Sequence, residues 1–144
     1  MEAVTYRNED SIREVVEKFE ACVYAPEEFI HARHLTVAAW YLCTLAEDAA
    51  VSRMRGSLLR FTAHHGKQAY HETITRFWMQ LIAEHLRRQE AEQSDVQRIN
   101  EVVARYPKET LFDYYSRDRV MSDNAKREWV EPDLCEMGSR KSLV

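Results

Sequence analysis

The sequence predicts an all-α protein, a single compact helical bundle of about five main helices with a C-terminal strap. Three observations carry that prediction. Apolar residues recur at the three-and-four spacing of amphipathic helices through most of the chain. Glycine and proline number three each, too few for the tight turns of a sandwich or barrel. The 144 residues, 45% of them hydrophobic, are enough to bury one core. The chain therefore reads as one domain over 1–144, with a core at about 8–116 and a strap or lid at 117–144.

The first helix is expected from about Asn8 to Val23, with Ile12, Val15, Val16, Phe19 and Val23 as its apolar stripe. Asn8 or Asp10 would cap it. Pro26 suits the first turn of a second helix, which runs from Pro26 or Glu27 to Ala46. That helix is apolar nearly all round, from Leu35 to Leu45, and so belongs in the middle of the bundle. A third helix, about Ala50 to His64, aligns Val51, Met54, Leu58, Phe61 and His65, and Gly66 follows as a left-handed stop. The fourth opens near Gln68 to Tyr70 and reaches about Arg88, turning Ile74, Phe77, Trp78, Leu81, Ile82 and His85 inward. Ser94 with Gln97 is a capping box for a fifth helix ending near Arg105. Pro107 stops it, Lys108 to Tyr115 adds a short helix, and Ser122 caps a further turn or two before Glu131–Pro132.

Composition excludes several functions. With 24 acidic and 20 basic residues the formal charge is -4, the wrong sign for a dedicated nucleic-acid binder. No apolar run approaches the ~18 residues of a membrane span, and the N-terminal residues lack the layout of a signal peptide. Cys22, Cys43 and Cys135 form no CxxC and no even set, which fits a reducing cytoplasm. Nucleotide-binding glycine loops, the hydrolase elbow and H-E-x-x-H are all missing. Only one E-x-x-H element occurs, Glu28 to His31, so a paired di-iron carboxylate site is not expected.

The histidines are the most informative feature. Connections of about three to six residues make consecutive helices antiparallel neighbours. The start of the second helix, the end of the third and the start of the fourth then share one pole. His31, His34, His64, His65 and His71 all fall there, five of the six histidines. His31 and His34, one turn apart, can face a common point that His71 completes, with Glu28 or Glu72 adding a carboxylate. These are the expected ligands of a transition-metal ion such as zinc, copper or iron. His64 and His65 also fit the ordinary preference for cations at a helix C-terminus, and His85 fits a packed core histidine. The stretch around Leu111 to Arg119 is carried to the same pole. There Tyr114, Tyr115, Arg117 and Arg119 would hold a small anionic substrate, with Tyr114 and Glu72 as catalytic groups. Equally, those tyrosines fill the bundle end while the arginines pair with Asp113 and Asp118.

The segments FIHARHLTVAAWYL, LLRFTAHHG, YHETITRFWMQLI, DYYSRDR and VEPDL, spanning roughly residues 27–134, resemble a family of small bacterial proteins. The resemblance implies no activity and assigns no residue a role. The leading expectation is a small cytoplasmic metal-dependent enzyme with a histidine-centred pocket at one pole, acting on an anionic metabolite. Two alternatives stand beside it. One is a metal-free enzyme using a histidine such as His71, oriented by Glu72, as general base. The other is a non-catalytic partner-binding or homodimer module that uses the apolar second helix.

Overall fold

The structure, a computed structural model, describes residues 4–138, and all regular structure among them is helical. The main elements are α1 (Glu9–Glu20), α2 (His31–Thr44), α3 (Glu47–His64), α4 (Glu72–Arg88) and α5 (Asp95–Arg105). Three short helices follow: α6 (Leu111–Tyr114), α7 (Arg117–Val120) and α8 (Asp123–Arg127). Single 3-10 turns cover Pro26–Glu28 and Lys108–Thr110. The end of the expected strap, beyond residue 138, lies outside the described residues. No described helix is long and apolar enough to cross a membrane.

α2 packs against α1, α3, α4 and α5, as its all-round apolar sequence requires. Leu35, Val37, Ala39 and Tyr41 are buried there beside Ile12 and Phe19 of α1, Ile82 of α4 and Ile99 and Val102 of α5. Most of that apolar surface is thus covered by the four neighbouring helices, while Trp40, Leu42 and Cys43 are partly buried. Tyr6 joins the N-terminal residues to this core: its backbone N–H and C=O both bond the Asn100 side chain, and its hydroxyl meets Thr36 at 2.8 Å.

Three helix boundaries differ from expectation, each for a local reason. α1 stops at Glu20 because Cys22 takes a left-handed conformation (φ 58°), and Val23 is left exposed rather than on the stripe. The backbone bonds Cys22 to Phe19 and Val23 to Lys18 satisfy the end carbonyls. The second helix does not run on from Pro26. Its backbone leaves the helical region at Phe29 (ψ 68°), which drives that ring into the core, stacked on Phe19 at 4.2 Å and tilted on Phe61 at 5.4 Å. Aromatic burial there outweighs one more turn of helix. α3 starts one turn early, at Glu47, where Glu47 and Asp48 favour the positive end of its dipole.

The described part of the strap is packed against the bundle. Val120 joins Phe77, Leu81, Leu111, Tyr114 and Tyr115 in a second buried cluster on the outer side of α4. The Thr73 hydroxyl donates to the Glu128 carbonyl and accepts from the Val130 N–H, and α8 lies against α4.

Candidate functional site

One cavity of about 770 Å³ opens at the pole where α2 and α4 begin and α3 ends. That volume is in the range of small-molecule sites. Its inner wall is apolar and buried: Phe29, Leu35, Met54, Phe61 and Met79. Trp78, Phe112 and Met121 close further sides. Lys67, Lys108, Glu109 and Arg117 line it and are exposed, so they mark the mouth.

Four histidines stand in the wall: His31, His34, His65 and His71. His31 is the first residue of α2. Its Nε2 lies 3.0 Å from the Tyr106 carbonyl, which can only accept, so Nε2 carries the proton and Nδ1 is a bare acceptor. Its ring meets Trp78 edge-on at 4.9 Å. Burial lowers its pKa below 6.5, opposed by the bond to Tyr106, so the ring is neutral at pH 7.

His34, one turn further, is enclosed by protein, and its remaining exposed surface faces the cavity. Its ring centroid sits 4.1 Å from that of Phe29, tilted by 34°. Burial first, and His31 second, push its pKa down to about 4. His65 caps the end of α3 and donates from Nε2 to the Tyr24 carbonyl at 3.0 Å. His71 is the N-cap of α4. Its Nδ1 accepts from the Ile74 N–H at 3.1 Å, and its Nε2 donates to the Val120 carbonyl at 2.7 Å. Both its nitrogens are therefore engaged, a use of histidine in place of the usual Ser, Thr, Asp or Asn cap.

The mouth is built by local turn chemistry. Gly66, at φ 66°, ends α3, with Gly66 N–H bonded to Ala63 and Lys67 N–H to Thr62. This left-handed closure puts Lys67 at the rim. Arg117, the first residue of α7, lays its guanidinium over Phe112 at 4.8 Å. Among the described residues, no carboxylate lies within ion-pair distance of Lys67, Lys108 or Arg117.

No family model, curated protein or solved structure matches this chain. The roles at the cavity therefore rest on its own chemistry, and the resemblance to small bacterial proteins adds nothing to them.

Of the residues expected from sequence, His31, His34, His71 and Arg117 meet at the cavity, and the others do not. The Glu28 carboxylate accepts from the Ala25 N–H at 2.7 Å, closing the 3-10 turn. Glu72 follows His71 but points to α3, where Arg55 grips both its oxygens at 3.0 and 2.7 Å and Tyr70 donates at 2.6 Å. Arg55 holds that carboxyl below its usual range, so it is an anion engaged in tying α3 to α4. Tyr114 is buried against Phe77. Tyr115, buried too, donates to the Val130 carbonyl at 2.6 Å, and Arg119 donates to the Glu131 carbonyl. These three hold the strap. Among the described residues no three His, Cys, Asp or Glu side chains converge to hold a metal ion. His71 has no free nitrogen and Glu28 is turned away, so the expected set falls to two imidazoles, below the three protein ligands usual at a catalytic ion.

Proposed function

We propose that the cavity binds a small organic anion with an apolar body, and that His31 acts on it as a general base. The carrying observation is the His31 ring: its N–H is fixed on the Tyr106 carbonyl, leaving an unprotonated Nδ1 in the wall of a ligand-sized pocket. A base must be deprotonated at working pH, and burial keeps this one so. Lys67, Lys108 and Arg117 supply positive charge at the mouth, which steers and holds an anion. The apolar inner wall excludes water and takes up the body of the ligand.

The test is proton exchange. The protein would be incubated in D2O with a panel of organic acids, and deuterium on carbon read by mass spectrometry. The expected result is exchange into at least one acid that rises with pH through a midpoint below 6.5. His31→Gln should abolish it while leaving the acid bound. Exchange that survives His31→Gln would sink the assignment.

A metal reading has one supporting observation, that His31 and His34 line the same cavity one helical turn apart, with Nδ1 of His31 not taken by a carbonyl. In this form two imidazoles hold zinc, copper or iron, and the bound anion completes the coordination. Elemental mass spectrometry of tag-free protein decides it: a near-stoichiometric ion that vanishes in His31→Ala/His34→Ala supports it, and an ion retained there removes it.

A further inference from the structure

We infer that the cavity takes a one-headed amphiphile of the medium-chain carboxylic acid class, with its anionic group at the mouth and its apolar chain lying between α2, α3 and α4. The inference rests on the anion-binding reading above and narrows it to a ligand class. It comes from the order of the lining residues along the helices. On α2 they run His31, His34, Leu35 and Ala38 from the pole inward. α3 ends at the pole, so its lining residues run inward as Thr62, Phe61, Leu58 and Met54, with His65 just past the helix end. On α4, His71 stands at the start and Met79 is the innermost.

Polar side chains therefore come first on all three helices. The far end, made by Leu35, Ala38, Met54, Leu58 and Met79, has no side-chain nitrogen or oxygen. The two threonines of the wall spend their protons on their own helices, Thr62 on the Leu59 carbonyl and Thr75 on that of His71. Trp78 meets the His31 ring edge-on at 4.9 Å, which sets its indole level with the first turn of α2 and not at the far end.

The same order gives the depth. At 1.5 Å of rise per residue, Thr62 to Met54 covers about 12 Å of helix axis, and His31 to Ala38 about 10 Å. A zigzag alkyl chain advances a little less than one ~1.5 Å C–C bond per carbon, so about ten carbons reach the far end. Met54 and Met79 there have unbranched side chains that adapt to a flexible chain, whereas the aromatic Phe29, Phe61 and Trp78 lie nearer the mouth. A polar group carried to the far end would lose its water with nothing to replace it. At the mouth Lys67, Lys108 and Arg117 meet the carboxylate.

Calorimetric titration of the full chain at pH 7.5 with hexanoate, octanoate, decanoate, dodecanoate and tetradecanoate tests the depth. Affinity should rise about fourfold per methylene as far as decanoate, the gain from burying one CH2, and level off from dodecanoate onward. Decanedioate should bind roughly a hundredfold more weakly than decanoate, since its second carboxylate would be buried without a partner. Ala38→Leu, which fills the far end, should move the plateau to shorter chains and leave hexanoate binding unchanged. The wild-type series stands as a test even if that variant does not fold. Affinity independent of length, or still rising at tetradecanoate, overturns the chain reading and leaves the anion pocket intact. So does decanedioate binding as well as decanoate, a plateau that a folded Ala38→Leu variant does not move, or naphthalene-1-acetate matching dodecanoate, its equal in carbon number. Binding of none of these acids overturns the anion pocket, and this inference with it.

Discussion

Acidification should weaken this protein through His34, in an amount the structure allows to be worked out. The ring titrates near 6.5 in an unfolded chain and at about 4 in the folded protein, chiefly because it is buried. Between those values the unfolded chain carries a proton on His34 that the folded protein refuses. Stability attributable to this residue is therefore complete above about pH 6.5, falls as pH drops toward 4, and levels off below. At about 1.4 kcal/mol per pH unit, the loss between pH 7 and pH 4 is about 3 kcal/mol. That is a large part of the 5–15 kcal/mol typical of a domain. His31 and His71 are pushed in the same direction by burial, so the wild-type pH profile alone does not isolate His34. The assay is urea unfolding at pH 7, 6, 5 and 4 on wild type and His34→Gln. Glutamine is polar, close in size and does not titrate. The variant should be less stable at pH 7, having lost the contact with Phe29, and the gap should shrink by about 3 kcal/mol at pH 4. A gap that stays constant across this range would show that His34 titrates as a solvated imidazole and refute the burial argument.

Two further perturbations follow from the connections around the site. Gly66→Ala should destabilise by about 1 kcal/mol in urea unfolding, since φ 66° is costly for any Cβ while no atom lies within 4 Å of one placed there. A neutral outcome would mean that the turn after α3 is free to rearrange. Glu72→Gln should cost about 1–2 kcal/mol at pH 7 by weakening the grip of Arg55, a figure already reduced for the partial exposure of that arginine. Because Arg55 holds the carboxyl below its usual range, the wild-type advantage should fade as pH drops through and below 4.5, and the variant should lack that limb.

The gathering of His31, His34 and His71 around one space was legible from connection lengths, because short loops leave antiparallel helices little choice. The placement of α2 at the centre was legible from its all-round apolar sequence. What escaped depends on partners distant in sequence. Nothing near Glu72 says that Arg55, 17 residues away on another helix, will take both its oxygens. Tyr115 and Arg119 look like ligand-binding groups until the strap presents the carbonyls of Val130 and Glu131. The break at Phe29 was hidden because Pro26 is a proper helix start, and only the stacking on Phe19 outweighs continuation. Lys67 and Lys108 carry no motif at all. Gly66 was the usable signal for Lys67, since a left-handed helix end fixes where the next side chain goes.

The bond from His71 to the Val120 carbonyl spans 49 residues, and the mouth of the cavity is finished by Arg117 and Met121. During synthesis α1 to α4 emerge well before that carbonyl exists. The nascent chain therefore holds an apolar trough flanked by imidazoles, open along the side that α7 will close. Closing so long a loop carries an entropy cost that must be met before its contacts form, so this wall is a late event in folding. The cavity is thus completed only near the end of folding. A shorter translation product stopping ahead of Val120 would expose this trough to chaperones and proteases instead.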